Sequence, residues 1–361
     1  MKNDILHKLL SLGVQLKISD GNLKINASKG VLTKELLEEI KEHKEYLMAL
    51  MAVSVSIPKA EVKESYVLTP TQSFMWFTHE YLGGDRAYNI TSTLKLKGKL
   101  DETLLEKAFQ QVIARHESLR TIFRKNQKEE IQQYILTKEE TEFKLQTLAL
   151  QHFSVEQLQN QIKEEYQKVF DLEKDLLLRA TLLKSSKEEH ILLFVLHHII
   201  GDGWSLQLLT REVMFVYNSL ASAQAIELPE LSIQYKDYSE WLNEKLVSSE
   251  YAAKLDYWKQ QFETKSPVLD LIQGKRPAVK TYNGRIHNHE FSKQFLGELN
   301  VFAKEQQMTL FMLLMGGLNG LFSKYTGQTD ITLGTTVAGR EHADLEHQIG
   351  LYSNALPIRT Q

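Results

Sequence analysis

Six consecutive apolar residues, Ile191-Leu192-Leu193-Phe194-Val195-Leu196, run straight into His197-His198-Ile199-Ile200-Gly201-Asp202-Gly203-Trp204-Ser205. This junction constrains the fold more than any other stretch of the chain. A short, unbroken apolar run predicts a buried strand. From Leu206 to Tyr217 apolar residues recur at helical spacing. Two histidines therefore sit where a core strand ends, and an Asp-Gly corner opens a helix. Side chains alternate along a strand, so His197 and His198 are expected on opposite faces. One can be held in the core while the other faces a cleft, beside a carboxylate, where proton transfer near pH 7 is feasible. A satisfied core pair is equally compatible with the spacing alone.

Other chemistries find less support. His287 and His289 would share one strand face, and imidazole suits zinc. No acidic or cysteine ligand has a recognisable spacing to either His pair, so His287-Asn288-His289 reads as a polar face and no metal site is expected. The 361 residues contain no cysteine, which excludes disulfides and a cysteine acyl-enzyme and fits a cytoplasmic protein. No Gly-x-Ser-x-Gly elbow occurs. Gly334 to Arg340 has the glycine spacing of a phosphate loop, but Arg340 and Glu341 replace the Lys and Ser/Thr that such a loop needs. A net charge of −3 gives no global attraction to nucleic acid or anionic membrane. Leu310 to Phe322 is too short to span a bilayer, and the N-terminus lacks a signal-peptide core.

Residues 1–51 read as a small unit. Asp4 can cap a short helix, and Val14, Leu16 and Ile18 alternate with polar residues. Asp20-Gly21 is a hairpin turn, Leu23 and Ile25 continue the alternation, and Thr33 can cap a helix carrying Leu36, Leu37, Ile40, Leu47 and Met51. The turn sets Lys17 opposite Lys24 on the polar face, a mildly unfavourable pairing. Residues 52–66 read as an extended linker. From 67 onward strands and helices mix. Strands are expected near 89–97, 131–136, 143–147, 177–184, 190–196, 283–291, 330–337 and 351–359. Helices are expected from Asp101, and near 154–170, 235–262, 294–306 and 309–324. The class is α/β.

Five stretches in order carry a resemblance. They are Thr69-Pro70-Thr71-Gln72-Ser73-Phe74-Met75-Trp76, Arg115-His116-Glu117-Ser118-Leu119-Arg120-Thr121-Ile122-Phe123, the His197–Ser205 stretch, Tyr235-Lys236-Asp237-Tyr238-Ser239-Glu240-Trp241, and Ile349-Gly350-Leu351-Tyr352-Ser353-Asn354-Ala355-Leu356-Pro357-Ile358-Arg359. Together they resemble the motifs of condensation domains in nonribosomal peptide synthetases. Phe74 stands where Arg is usual, Gly201 where Ser is, and Ser353 and Ala355 flank Asn354 in place of Val and Thr. Leu12-Gly13-Val14, Asn22-Leu23-Lys24-Ile25 and Gly30-Val31-Leu32-Thr33 resemble N-terminal docking domains of the tubulysin-synthetase type.

The resemblance implies two chloramphenicol-acetyltransferase-like lobes in a V, at 67–229 and 230–361, with a tunnel between them. The second lobe is shorter and lacks two further family motifs, so a truncated product is expected. The implied reaction is amide formation between a carrier-bound acyl or peptidyl thioester and the amine of a carrier-bound aminoacyl thioester. No cofactor is bound directly; the substrates ride on phosphopantetheine. His198 is the expected reactive imidazole and His197 a packed neighbour. Asp202 is expected to be structural, paired with Arg115, Arg120 or Arg340, or else to orient the imidazole. The Gly203 N–H could face the oxyanion. Trp204 is expected to pack and, with Asn354, to line the tunnel. Lys17 and Lys24 would form a basic strip for the acidic tail of an upstream subunit. Other implied partners are the donor and acceptor carrier domains and a downstream adenylation domain. A docking-only fragment and a stand-alone thioester-dependent acyltransferase are the alternatives.

Overall fold

The computed structural model describes residues 5, 8–9, 12–19, 22–27, 31–47, 56–81, 86–150, 154–271, 278 and 287–361. The N-terminal unit pairs β1 (Gln15–Ser19) with β2 (Asn22–Asn26), antiparallel, with Lys17 opposite Lys24. Asp4 and the turn residues Asp20 and Gly21 lie outside the described residues. The helix expected from Thr33 begins there. The Thr33 hydroxyl accepts from Leu36 N, and α1 (Lys34–Glu42) buries Leu36 and Ile40. It breaks at His43 before a further helical turn at 44–47. Ile5, Leu9, Val14, Leu36, Ile40 and Leu47 form a small core separate from the main one.

The main core is built on a four-stranded sheet with order β3-β8-β7-β6. After α2 (Pro70–Tyr81) comes β3 (Asn89–Lys97), then α3 (Glu102–Arg115), whose first turn is capped by Asp101. A 3-10 turn at Glu117–Arg120 leads into a separate hairpin, β4 (Thr121–Lys125) and β5 (Ile131–Ile135). Next come β6 (Gln146–Ala149), α4 (Val155–Gln167) and β7 (Leu178–Lys184), a β-α-β unit with β6 parallel to β7. The strand β8 (Glu189–His197) is antiparallel to both β3 and β7. Its residues Leu192 to Leu196 are all buried, as a strand covered on both faces requires. The 19-residue α5 (Gly203–Ala221) follows and packs along α3.

Two expectations need correction. The single long helix expected over 235–262 is two helices, α6 (Tyr235–Leu246) and α7 (Ser249–Gln261), broken at Val247-Ser248. Residues 287–291 carry no strand, and 283–286 lie outside the described residues. Residues on both sides of 229/230 pack into one core. Ile233, Tyr235, Tyr238, Leu345, Ile349, Leu351 and Tyr352 all belong to the main core, with β8 and α3. Long-range bonds explain this. Ser239 Oγ donates to Val67 O at 2.6 Å, Asn243 Nδ2 to Leu68 O at 2.9 Å, and Ser118 Oγ to Ile349 O at 2.7 Å. What stands apart is α7, α8 (Lys293–Glu305), α9 (Leu310–Thr326) and the antiparallel pair β9 (Ile331–Val337) and β10 (Asn354–Thr360). Across these three helices only Ala303 is buried.

Residues 56–66 have no regular secondary structure, yet they are fixed to the main body. The Ile57 side chain is in the main core, at 2% exposure. Ile57 N donates to Asp344 Oδ2 at 3.1 Å and Ala60 N to Asp237 Oδ1 at 2.8 Å. Lys63 pairs with Glu240 at 2.9 Å, and Tyr66 bridges Gln133. The Asp344 carboxylate also accepts from Ser232 Oγ at 2.9 Å. The segment is a strap across two sequence-distant regions. Ile57→Ala should therefore destabilise the main domain by about 2–5 kcal/mol, as for any truncated core side chain. Urea unfolding checks this; a change within about 0.5 kcal/mol is what a free linker would give.

Candidate active site

The end of β8 delivers two histidines to different surroundings. His197, the last strand residue, is fully buried. Its Nδ1 accepts from Ile199 N at 3.2 Å, which places the proton on Nε2. The rings of His79, Phe170 and Tyr88 stand edge-on around it, with centroids 5.4 to 6.3 Å away. Burial, and then the charges of His79, His198 and Arg179, push its pKa down to about 3. His198 opens a 3-10 turn, His198–Ile200, and its N–H donates to Tyr88 O at 2.7 Å. Its side chain is partly exposed, and Nδ1 is closed off with no hydrogen-bond partner among the described residues. That leaves Nε2 as the nitrogen a substrate can reach.

The turn itself is held from α2. Gln72 Nε2 donates to Ile199 O at 3.1 Å and Gln72 Oε1 accepts from Thr69 N at 3.0 Å. Gly201 lies close against two side chains. A Cβ there would lie 2.5 Å from Leu196 Cδ2 and 3.2 Å from Ser205 Cβ. The nearer atom is the end of a flexible side chain, which must shift to admit a Cβ.

Asp202 is the N-cap of α5 and is 1% exposed. Its Oδ1 accepts from Ser205 N and Ser205 Oγ, both at 2.8 Å, and from Arg340 Nη2 at 3.2 Å. Its Oδ2 accepts from Tyr352 N at 3.1 Å and Ser353 N at 3.2 Å. Every acceptor direction is used, as a buried carboxylate demands. No hydrogen bond joins it to His198 among the described residues, so Asp202 does not orient the imidazole. Of the three candidate arginines, Arg340 meets it. Arg115 lies against Glu212 at 3.2 Å, and that carboxylate also binds His116 Nε2 at 2.8 Å. Arg120 is 3.5 Å from Glu117 and donates to Leu136 O.

Arg340 spends its other donors on Leu345 O and on Gln348 O at 2.7 Å, and its guanidinium lies 4.2 Å from the Tyr352 ring centroid. The turn before it closes at Gly339, where φ is +65° and a Cβ would fall 2.0 Å from Tyr352 O. Ser205 Oγ lies 2.9 Å from Gly350 O and accepts from Gly350 N at 3.1 Å. Tyr235 OH donates to Leu351 O at 2.7 Å. Asp202, Ser205, Arg340 and Tyr235 thus clamp the 349–353 loop to the start of α5.

Gly203 is exposed at the N-terminus of α5, with open space where a Cβ would be. Trp204 does not pack as expected. It is 47% exposed, tethered by Nε1 donating to Glu346 O at 3.1 Å, with the Arg340 guanidinium 5.7 Å from its ring centroid. Asn354 is exposed and opens β10; its Oδ1 accepts from Ala355 N. Sequence reasoning missed Gln72, Ser205 and Glu212 as supports. Gln72 and Ser205 lie inside the motifs, but their partners are 127 and 145 residues away. No group of three His, Asp or Glu fit to hold a metal occurs among the described residues. His287 and His289 are exposed. None of the described helices is long and apolar enough to cross a membrane.

Comparison with known proteins gives two family matches: a condensation domain over residues 62–361 and a TubC N-terminal docking domain over residues 3–52. Bacitracin synthase 3 of Bacillus licheniformis is 39% identical over 305 residues, covering 84% of this chain and 5% of that protein. Bacitracin synthase 2 of the same organism is 32% identical over 366 residues, covering 99% of this chain and 14% of that protein. Gramicidin S synthase 2 of Aneurinibacillus migulanus is 36% identical over 308 residues, covering 85% and 7%. The chain thus spans a small fraction of these relatives. Among solved structures, the X-domain from teicoplanin biosynthesis superposes with a TM-score of 0.74 at 25% identity, covering 85% of this chain and 68% of that one. The first condensation domain of the calcium-dependent antibiotic synthetase, solved with a substrate analogue, gives 0.70 at 20% identity, covering 82% and 70%.

The His197 environment fixes one pH dependence. Its folded pKa lies below the ordinary imidazole value of about 6.5, so the unfolded chain takes up a proton that the folded chain refuses. Stability is therefore complete above about pH 6.5 and falls as the pH drops toward 3, by at most about 1.4 kcal/mol per pH unit from this group. His116, also pushed down by burial, adds to the same limb. His197→Gln should flatten the limb, measured by urea unfolding at pH 7, 6, 5 and 4. An unchanged slope would mean the imidazole is charged in the fold.

Proposed function

The chain belongs to the condensation-domain family of nonribosomal peptide synthetases and begins with a docking domain of the TubC type, and from that premise we propose that it forms a peptide bond between two thioester-bound substrates. The donor is an acyl or peptidyl group and the acceptor an aminoacyl group, each on the phosphopantetheine arm of a carrier domain. The amine attacks the donor carbonyl, a tetrahedral oxyanion forms, and the donor thiol departs. The observation that carries this reading is the split between the two histidines: one neutral and sealed, one with a reachable nitrogen on a turn held from three sides.

His198 acts mainly by holding the amine and accepting its proton as the adduct forms. An α-amine with a pKa of ~7.7–8.0 is already about a tenth neutral at pH 7, so prior deprotonation is worth only ~1–1.5 kcal/mol. Orientation can contribute ~7–11 kcal/mol. The Gly203 N–H would meet the oxyanion, a role supported by its position at the positive end of α5. Trp204 and Asn354, both exposed, are then available to line the approach. Asp202 and Arg340 act indirectly, by fixing the corner that carries His198 and Gly203. The reaction fits the cytoplasm, where carrier domains are loaded, and an adenylation domain is the natural downstream neighbour.

With loaded donor and acceptor carriers, His198→Ala should lower amide formation about a hundredfold or more. His197→Ala should mainly lower stability. Near-normal turnover by the His198 variant, read as product by mass spectrometry, would remove that residue from the reaction.

The docking unit receives the tail of an upstream subunit. The backbone register sets Lys17 opposite Lys24, and a cross-strand pair of like residues suits an acidic tail. Lys17→Glu with Lys24→Glu should weaken binding of an acidic peptide and make it less salt-sensitive, because exposed charges are screened over about 8–10 Å. Circular dichroism should show residues 1–51 still folded. Equal affinity would dismiss the basic strip.

A further inference from the structure

One strand residue outside all five motifs reaches the His198 turn through a single intermediary. Gln133, at the centre of β5, is buried, while its four strand neighbours are only partly so. An amide buried there must find partners for its N–H and its oxygen. Its backbone is paired with the strap: Gln133 N donates to Tyr66 O at 2.8 Å, and Tyr66 N to Gln133 O at 2.9 Å. Its side chain spans from the strap to α2. Gln133 Nε2 donates to Val67 O at 2.7 Å, and Gln133 Oε1 accepts from Gln72 Nε2 at 3.2 Å. The same Gln72 Nε2 donates to Ile199 O at 3.1 Å, inside the turn that carries His198.

Carbonyls at both ends fix the direction of this relay, because a carbonyl can only accept. Val67 O requires the N–H end of the Gln133 amide, which turns the Gln133 oxygen toward Gln72. That oxygen in turn requires the N–H end of the Gln72 amide. Both Gln72 hydrogens are then spent, one on Gln133 and one on Ile199 O. Thr69 N, a donor, holds Gln72 Oε1 on its other side at 3.0 Å. Turning either amide over would set oxygen against oxygen and N–H against N–H. Gln72 and Thr69 are also buried, so water does not stand in for a missing partner. The orientation of Gln72, and with it the tie to the turn, therefore depends on a strand residue that Gln72 meets 61 positions away.

We propose that Gln133 is a positioning residue for His198: it fixes the polarity of the Gln72 amide, which anchors the Ile199 carbonyl and so sets the turn from which His198 Nε2 meets the acceptor amine. Gln133 is buried and acts only through Gln72. The proposal rests on the peptide-bond reading for what His198 does, and on the relay alone for how His198 is held.

The test compares amide formation from loaded carriers by the 361-residue chain, by Gln133→Met, by His198→Ala and by the two substitutions combined. Gln133→Met keeps the length of the side chain and removes its polar end. It should lower kcat about tenfold or more, since a misplacement of about 1 Å can cost roughly a hundredfold, and change KM for the acceptor by less than about twofold. Added to His198→Ala it should lower turnover no further, because it acts through that imidazole. Gln133→Glu separates positioning from folding. Its buried carboxyl can donate to Val67 O and accept from Gln72 only when protonated, so its kcat relative to the unsubstituted chain should climb as the pH falls from about 8.5 to about 6. The carbon-bound proton resonances of the His198 ring, which need no turnover, should shift in Gln133→Met and move back in Gln133→Glu at the acid end. Normal turnover by His198→Ala would overturn the peptide-bond reading, and the resonances would then decide alone how the turn is held. With His198 required, losses that add in the combined variant, a ratio that does not change with pH, or unmoved His198 resonances would overturn the role of Gln133.

Discussion

The carboxylate of Asp202 holds together parts of the chain that are far apart in sequence. It is buried, so its charge must be matched on every side or the corner does not form. Arg340 matches the charge, and four further N–H and O–H donors fill the remaining directions. Two of those donors belong to the 349–353 loop. The α5 N-terminus, the turn after Gly339 and that loop are therefore set relative to one another by one group. Because His198 and Gly203 sit on either side of Asp202, the same group sets the geometry of any reaction at this corner. A buried ion pair contributes little net stability, but a half-broken one is costly by about 3–5 kcal/mol. The pair is thus better understood as fixing one arrangement than as strengthening the fold.

A second layer supports the first. Gln72 from α2 reaches the 3-10 turn, and Ser118 from the turn after α3 reaches Ile349. Tyr235 of α6, buried beside Tyr238 and Tyr352, bonds the loop carbonyl of Leu351. Each of the five sequence motifs thus places one residue in contact with the corner or its loop. In this chain the motifs are pieces of one hydrogen-bonded assembly.

Much of this was legible in the sequence where the cause is local. The apolar run to Leu196, the caps at Thr33 and Asp101, and the Asp-Gly corner all act within a few residues. The choice of Arg340 over Arg115 and Arg120 was not legible, because it depends on a contact across 138 residues. The exposure of Trp204 was not legible, because the Glu346 carbonyl that tethers its indole lies 142 residues away. The packing of Tyr235 and Tyr352 with the first half of the domain was not legible, because they carry hydroxyls into the core, which hydropathy alone does not foresee. The strand expected over 283–291 rested on alternation without a partner strand, and residues 287–291 form none.

The strap at 56–66 bears on how such chains can be recombined. By composition it is a spacer, and a spacer invites cutting and rejoining anywhere along it. Ile57, Ala60, Lys63 and Tyr66 are nevertheless matched to partners on the main domain, at Asp344, Asp237, Glu240 and Gln133. A graft that brings a foreign docking unit together with its own tail end would lose the Lys63–Glu240 pair and the core seat of Ile57, while the backbone donors at 57, 60 and 66 would persist. The natural seam for exchanging recognition units lies upstream of Ile57, so that the strap is inherited with the domain it is fastened to.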